Sequence, residues 1–106
     1  MNVSEYIAVV VPHTVKDVTE VREAIMACTK EAGGRSDTEQ HGVWYDSNGG
    51  EFSEPVTRMQ WNYQFGQRAK MLELTKALAG TLLDAGELAV FTESVIGGQY
   101  EARIIG

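Results

Sequence analysis

The stretch from Gly33 to Gln64, GGRSDTEQHGVWYDSNGGEFSEPVTRMQWNYQ, constrains this chain most. The glycine pair at its head stops a preceding helix, because glycine enters the left-handed region at little cost. A strand follows around Glu39 to Asp46, with Val43 and Tyr45 pointing one way and Trp44 and Asp46 the other. Ser47-Asn48-Gly49-Gly50 is a hairpin signal, since Asn-Gly suits the positive φ angles of a primed turn. The return strand runs from about Glu54 to Gln64. Met59, Trp61 and Tyr63 face the core there, and Arg58, Gln60 and Asn62 face the other side. Pro55 places the start of this strand at an edge or ahead of the ladder.

The flanks complete the pattern. Ile7 to Val11 is a continuous β-branched run and reads as a central strand. Val18, Val21, Ile25, Cys28 and Ala32 recur at helical spacing, which predicts a helix over residues 15–32 with Thr14 as N-cap and Asp17 as the capping-box acid. Met71, Leu74, Leu78, Leu82 and Ala85 predict a second helix over residues 67–84, with Gly86 as its stop. Gly80 inside that helix suggests close approach of a strand. Residues 87–95 and 99–105 read as two strands joined at Gly97-Gly98. The order β-α-β-β-α-β with an extra C-terminal strand is the ferredoxin-like α+β arrangement. Its antiparallel sheet carries two helices on one face in a single domain spanning residues 1–106.

Composition narrows the function. The 106 residues carry a net charge of −6 with no basic cluster, so nucleic acid is excluded as an expected partner. The longest apolar run, Ile7 to Pro12, is too short for a membrane span, and no membrane association is expected. A single cysteine, Cys28, on the apolar stripe of the first helix points to a reducing cytoplasm and to packing rather than catalysis.

Candidate chemistry is sparse. His13 and His41 could each serve as a general base, or join Glu39, Glu54 or Asp46 at a metal. No paired-ligand spacing supports a metal, so neither metal nor cofactor is expected. Gly33-Gly34-Arg35-Ser36 could cradle an anion, but the glycines follow a helix, where the dipole has the wrong sign. Glu54 could contact His41 or Arg58 across the hairpin. Trp44, Tyr45, Trp61, Tyr63 and Phe65 concentrate in the hairpin beside Arg58, Gln60 and Asn62. Such a group fits core packing, a protein interface or a planar ligand. The candidate binding residues are therefore Trp44, Tyr45, Arg58, Gln60, Asn62, His41 and Glu54, and no residue is assigned to catalysis.

Gly33, Gly34, Thr38, Gly42, Trp44, Asn48-Gly49 and Glu54 form a pattern that resembles small uncharacterised ferredoxin-like proteins of bacteria and their phages. The resemblance implies a phage or mobile-element source and carries no activity. Small size, acidic charge and an open sheet face lead to the expectation of a non-enzymatic homodimer. It would bind a host protein, in a counter-defence setting, through its sheet face or aromatic hairpin in the host cytoplasm. One alternative is an oligomer that sequesters a small nucleotide-like ligand, with aromatic residues for the base and arginine for a phosphate. A second is a small dimeric enzyme of the same fold.

Overall fold

The computed structural model describes residues 5–106. Its elements are β1 (Glu5–Pro12), α1 (Thr19–Ala32), β2 (Ser36–Tyr45), β3 (Glu51–Tyr63), a short 3-10 turn (Phe65–Gln67), α2 (Arg68–Asp84), β4 (Val90–Ile96) and β5 (Gln99–Ile105). One sheet in the order β2-β3-β1-β4-β5, antiparallel throughout, carries both helices on one face. This is the expected ferredoxin-like α+β fold. The extra strand β5 pairs with β4 of the same chain.

The core forms where sheet and helix periodicities meet. Ile7, Val9 and Val11 of β1 and Met59, Trp61 and Tyr63 of β3 lie on the helix side. They pack against Val21, Ile25 and Cys28 of α1 and Met71, Leu78 and Leu82 of α2. Each such side chain contributes about 1.5–3 kcal/mol by leaving water. Trp61, fully buried, also donates its indole N–H to Thr29 Oγ1 at 3.1 Å, so no polar atom is stranded there.

Strands β2 and β3 each begin three residues before the expected Glu39 and Glu54, at Ser36 and Glu51, and other readings also change. Helix α1 begins at Thr19, not Val15, with Val18 as an N-cap that makes no side-chain cap bond. Residues 13–17 instead form successive turns, in which Val15 N–H donates to Pro12 O at 3.2 Å and Val18 N–H to Val15 O at 3.1 Å. Val15 is buried by that path, so core packing overrides the Thr14 cap signal. The hairpin loop is not a two-residue primed turn. Asp46 N–H donates to Gly50 O at 2.9 Å and Gly49, at φ 80°, takes the left-handed place of a three-residue loop. The Asp46 carboxylate accepts from the N–H groups of Asn48 and Gly50 and fixes the loop. Finally, a β-carbon on Gly80 would meet nothing within 4 Å, so none of the described strands approaches there.

Strand β3 outruns its neighbour. The ladder with β1 ends at Pro12 opposite Val56, whereas the ladder with β2 continues to Tyr45 opposite Glu51. Residues 41–45 and 51–55 thus form a two-stranded arm beyond the main sheet. Pro55 sits at the start of that overhang, where its missing N–H interrupts no ladder with β1, and its carbonyl accepts from His13 N–H at 3.1 Å.

Candidate functional site

The arm, the end of β1 and the connection between α2 and β4 enclose a cavity of about 580 Å³ on the helix-free side of the sheet. Val10, Pro12 and Val56 contribute an apolar base. Trp44 and Phe52, paired across the arm, and Phe91 of β4 add aromatic surface. The volume suits a small molecule of drug or nucleoside size.

Local sequence explains each wall. Trp44 lies over Gly42, two residues back on the same side of β2. A β-carbon on Gly42 would collide with the indole, so glycine there lets the ring lie against the strand. On the opposite wall, α2 stops at Asp84 with Ala85 as C-cap, and Gly86 follows at φ 108°; its N–H donates to Leu83 O at 3.0 Å, while Glu87 N–H donates to Leu82 O at 3.2 Å. That stop turns the chain out of the helix and sets Glu87, Leu88 and Ala89 along the cavity rim.

The cavity is electrostatically one-signed. Glu54 and Glu87 both line it, and among the described residues no lysine or arginine does. Burial, with repulsion from Glu54 as the second cause, raises the Glu87 carboxyl above the usual glutamate value. Glu54 Oε2 has Thr14 Oγ1 as a long-range donor at 3.5 Å. His41 also lines the cavity, with its Nε2 hydrogen-bonded to Ser53 Oγ.

Of the residues nominated from sequence, His41, Trp44 and Glu54 come together here. The expected contacts of Glu54 with His41 or Arg58 do not form, because His41 turns to Ser53 and Arg58 to β4. Tyr45 is exposed on the arm outside the cavity. Arg58, Gln60 and Asn62 lie on the open face as expected but form a separate chain. Arg58 Nε donates to Glu93 Oε1 at 2.9 Å, Arg58 Nη1 to Gln60 Oε1 at 2.7 Å, and Gln60 Nε2 to Asn62 Oδ1 at 3.0 Å. Tyr100 O–H donates to Glu93 Oε2 at 2.9 Å. The guanidinium of Arg58 holds the Glu93 carboxyl below its ordinary value. An arginine so engaged is not presented to a phosphate in the cavity.

His13 lies elsewhere. Its Nε2 is 2.8 Å from Glu39 Oε2 and 2.9 Å from Thr57 Oγ1, and Thr57 donates to Glu39 Oε1 at 2.9 Å. The Thr57 hydrogen bond first, and His13 second, hold the Glu39 carboxyl below the usual range. This cluster ties the end of β1 to the β2–β3 ladder. Among the described residues no three His, Cys, Asp or Glu side chains gather where they could hold a metal. Burial pushes the Cys28 thiol up to about 11, so it is no nucleophile. No helix among the described residues is long and apolar enough to cross a membrane.

Sequence reasoning missed Phe52, Glu87 and Phe91. Glu87 carried one usable signal, its place directly after the Gly86 helix stop. Phe91 carried another, its alternation along β4.

No family model and no curated protein matches the chain. Solved structures do. A phage SAM lyase in complex with S-methyl-5'-thioadenosine matches with a TM-score of 0.70 at 20% identity, over 99% of this chain and 91% of that one. A phage SAM lyase in its apo state matches with a TM-score of 0.64 at 18% identity, over 95% of this chain and 87% of that one. At these identities the likeness is one of fold. It overturns the expectation of a non-enzymatic protein that binds a host protein through its sheet face or hairpin. The phage protein that shares this fold over nearly the whole chain is a SAM lyase in complex with a small nucleoside.

Proposed function

We propose that the chain is a lyase that takes S-adenosylmethionine into the cavity between the hairpin arm and the α2–β4 connection and releases S-methyl-5'-thioadenosine. The observation that carries this reading is the lining itself: aromatic faces of Trp44, Phe52 and Phe91, two carboxylates, and no lysine or arginine. Aromatic faces suit an adenine, at about 1–3 kcal/mol per stacked base. Paired carboxylates suit a cationic ligand and oppose a phosphate, which argues for a sulfonium nucleoside over a nucleotide. The likeness of fold to a phage SAM lyase points the same way. The pattern from Gly33 to Glu54 carries no activity, but with the phage source of both matched structures it supports a phage or mobile-element origin.

The chemistry asks little of the protein. Cleavage between the sulfonium sulfur and the methionine γ-carbon leaves the bonding pair on sulfur, giving a neutral thioether. The four-carbon remainder compensates internally, as its own carboxylate oxygen closes on the γ-carbon to form a lactone, so that no water is consumed and no proton is transferred. The apolar base formed by Val10, Pro12 and Val56 serves this by excluding water. Annihilation of charge is also favoured where the surroundings are less polar than water.

Incubation of the purified protein with S-adenosylmethionine, followed by chromatography and mass spectrometry, tests the reading. S-methyl-5'-thioadenosine should appear faster than with heat-denatured protein. A rate equal to that of the denatured control would sink it.

Self-association belongs to the same proposal. A two-stranded arm is marginal on its own in water. This one exposes Val43, Tyr45 and Phe52, and Leu88 stands 94% exposed at the cavity rim. A second copy covering the arm would bury that surface and close the cavity. Light scattering should give a mass above one chain, and Tyr45→Glu should lower it; a monomer at working concentration would remove this part of the reading.

A further inference from the structure

We propose that Glu54 and Glu87 act as a charge-reading pair, so that the cavity holds an adenosyl ligand with a cationic centre in preference to its neutral thioether counterpart. The inference rests on the reading of the cavity as an adenosyl site and assigns its specificity to two residues. Trp44, Phe52 and Phe91 can grip a purine or a methylene chain, and a ring face favours a cation over a neutral sulfur by only about two- to fivefold at a partly exposed site, which is about 0.5–1 kcal/mol. A group of full opposite charge reads that difference more strongly than a ring quadrupole does. The side chains that line the cavity supply just three titratable groups: Glu54 from β3, Glu87 from the α2–β4 connection, and His41 from β2. Strand β1 contributes Val10 and Pro12, and β4 contributes Phe91, none of which carries a charge.

The two carboxylates approach from opposite walls, and their mutual repulsion is felt at Glu87. Glu54 accepts only at 3.5 Å from the Thr14 hydroxyl among the described residues, and no described lysine or arginine lines the space to neutralise either group. A pair of like charges in a partly enclosed site is relieved by a cation placed between them. A sulfonium supplies that charge, and a thioether does not. The consequence runs through the reaction. The substrate enters as a cation; once the C–S bonding pair has moved onto sulfur, the nucleoside product is neutral. The attraction that held the substrate is then gone, which favours release of the product over its retention.

Two uncleavable ligands test this without depending on turnover. Sinefungin carries an ammonium-bearing carbon where S-adenosylmethionine has its sulfonium, and S-adenosylhomocysteine carries a neutral thioether. Calorimetric titration of the native protein should favour sinefungin by about tenfold or more, as expected for one charge beside a carboxylate in a partly screened site. Glu54→Gln and Glu87→Gln should each lower that ratio severalfold, and the double variant should reduce it to no more than the roughly two- to fivefold that ring faces supply, while S-adenosylhomocysteine binding persists. Circular dichroism and melting temperature identify variants that fold. Equal affinities in the native protein, or an unchanged ratio in the folded double variant, would overturn the pair. So would equal loss of both ligands in a folded variant, since that marks a structural role. Formation of S-methyl-5'-thioadenosine without charge preference would remove the pair and leave the lyase reading standing. Failure to bind either ligand together with no product would remove both.

Discussion

The indole of Trp44 occupies the space that a β-carbon on Gly42 would need. The two residues sit on the same side of β2, so the bare backbone of one is the bed of the other. Gly42→Ala should therefore push the indole off the strand and out of the cavity wall. Binding of an adenosyl ligand should weaken about 10–100-fold, the range lost with one stacked base. The fold should persist, because the ring is partly exposed and can swing into solvent. Ligand titration alongside melting temperature checks this; unchanged affinity would mean that Trp44 does not touch the ligand.

Glu87 gives a prediction with opposite signs in two measurements. Its carboxyl is raised by burial and by Glu54, so its folded-state value lies above its unfolded-state value. For an acid so shifted, ionisation costs stability as pH rises above the unfolded value, and the cost is complete once pH exceeds the folded value. Glu87→Gln should thus raise the melting temperature at neutral pH while lowering affinity for a cationic ligand. A fall in both quantities would make Glu87 a structural residue instead.

At the far end of β1 the sign reverses. Glu5 is buried and accepts from Arg68 Nε at 3.0 Å and from Gly97 N–H at 3.0 Å, and Arg68 lies 4.6 Å over the Phe65 ring. The Arg68 hydrogen bond chiefly holds its carboxyl down to about 2 from an ordinary 4.5. A depressed carboxyl contributes stability that is fully present above the unfolded value and is lost as pH falls through the folded one. Urea unfolding should show stability dropping between pH 4.5 and 2. Glu5→Gln should lower stability at pH 7 and flatten that drop. A variant that retains the native acid slope would assign it to other carboxylates.

Gly80 offers a gain. It lies within α2, and a β-carbon there would meet open space. Gly80→Ala should stabilise the protein by about 0.5–1 kcal/mol, because alanine loses less backbone freedom on forming a helix. The melting temperature should rise by roughly 2–8 °C for a domain of this size. No rise, or a fall, would show that the helix needs the glycine for a contact absent from this chain alone.

What the sequence determined by itself was local. The β-branched run of β1, the alternation of Met59, Trp61 and Tyr63 against Arg58, Gln60 and Asn62, and the glycine stops after both helices each encode a periodicity or a backbone angle. Those signals need no distant partner, so the order of elements along the chain and the open face could be read from them, whereas the pairing of β5 with β4 came from the structure. Tertiary structure overrode the Thr14 cap because burying Val15 outweighs one side-chain hydrogen bond. It also decided the site. Trp44 and Glu54 were nominated with Arg58 and Tyr45, yet they meet Glu87 and Phe91, more than thirty residues along the chain. Which side chains share a cavity follows from how far β3 outruns β1 and where α2 lets the chain go. Neither length is written in the composition of the residues that end up facing one another.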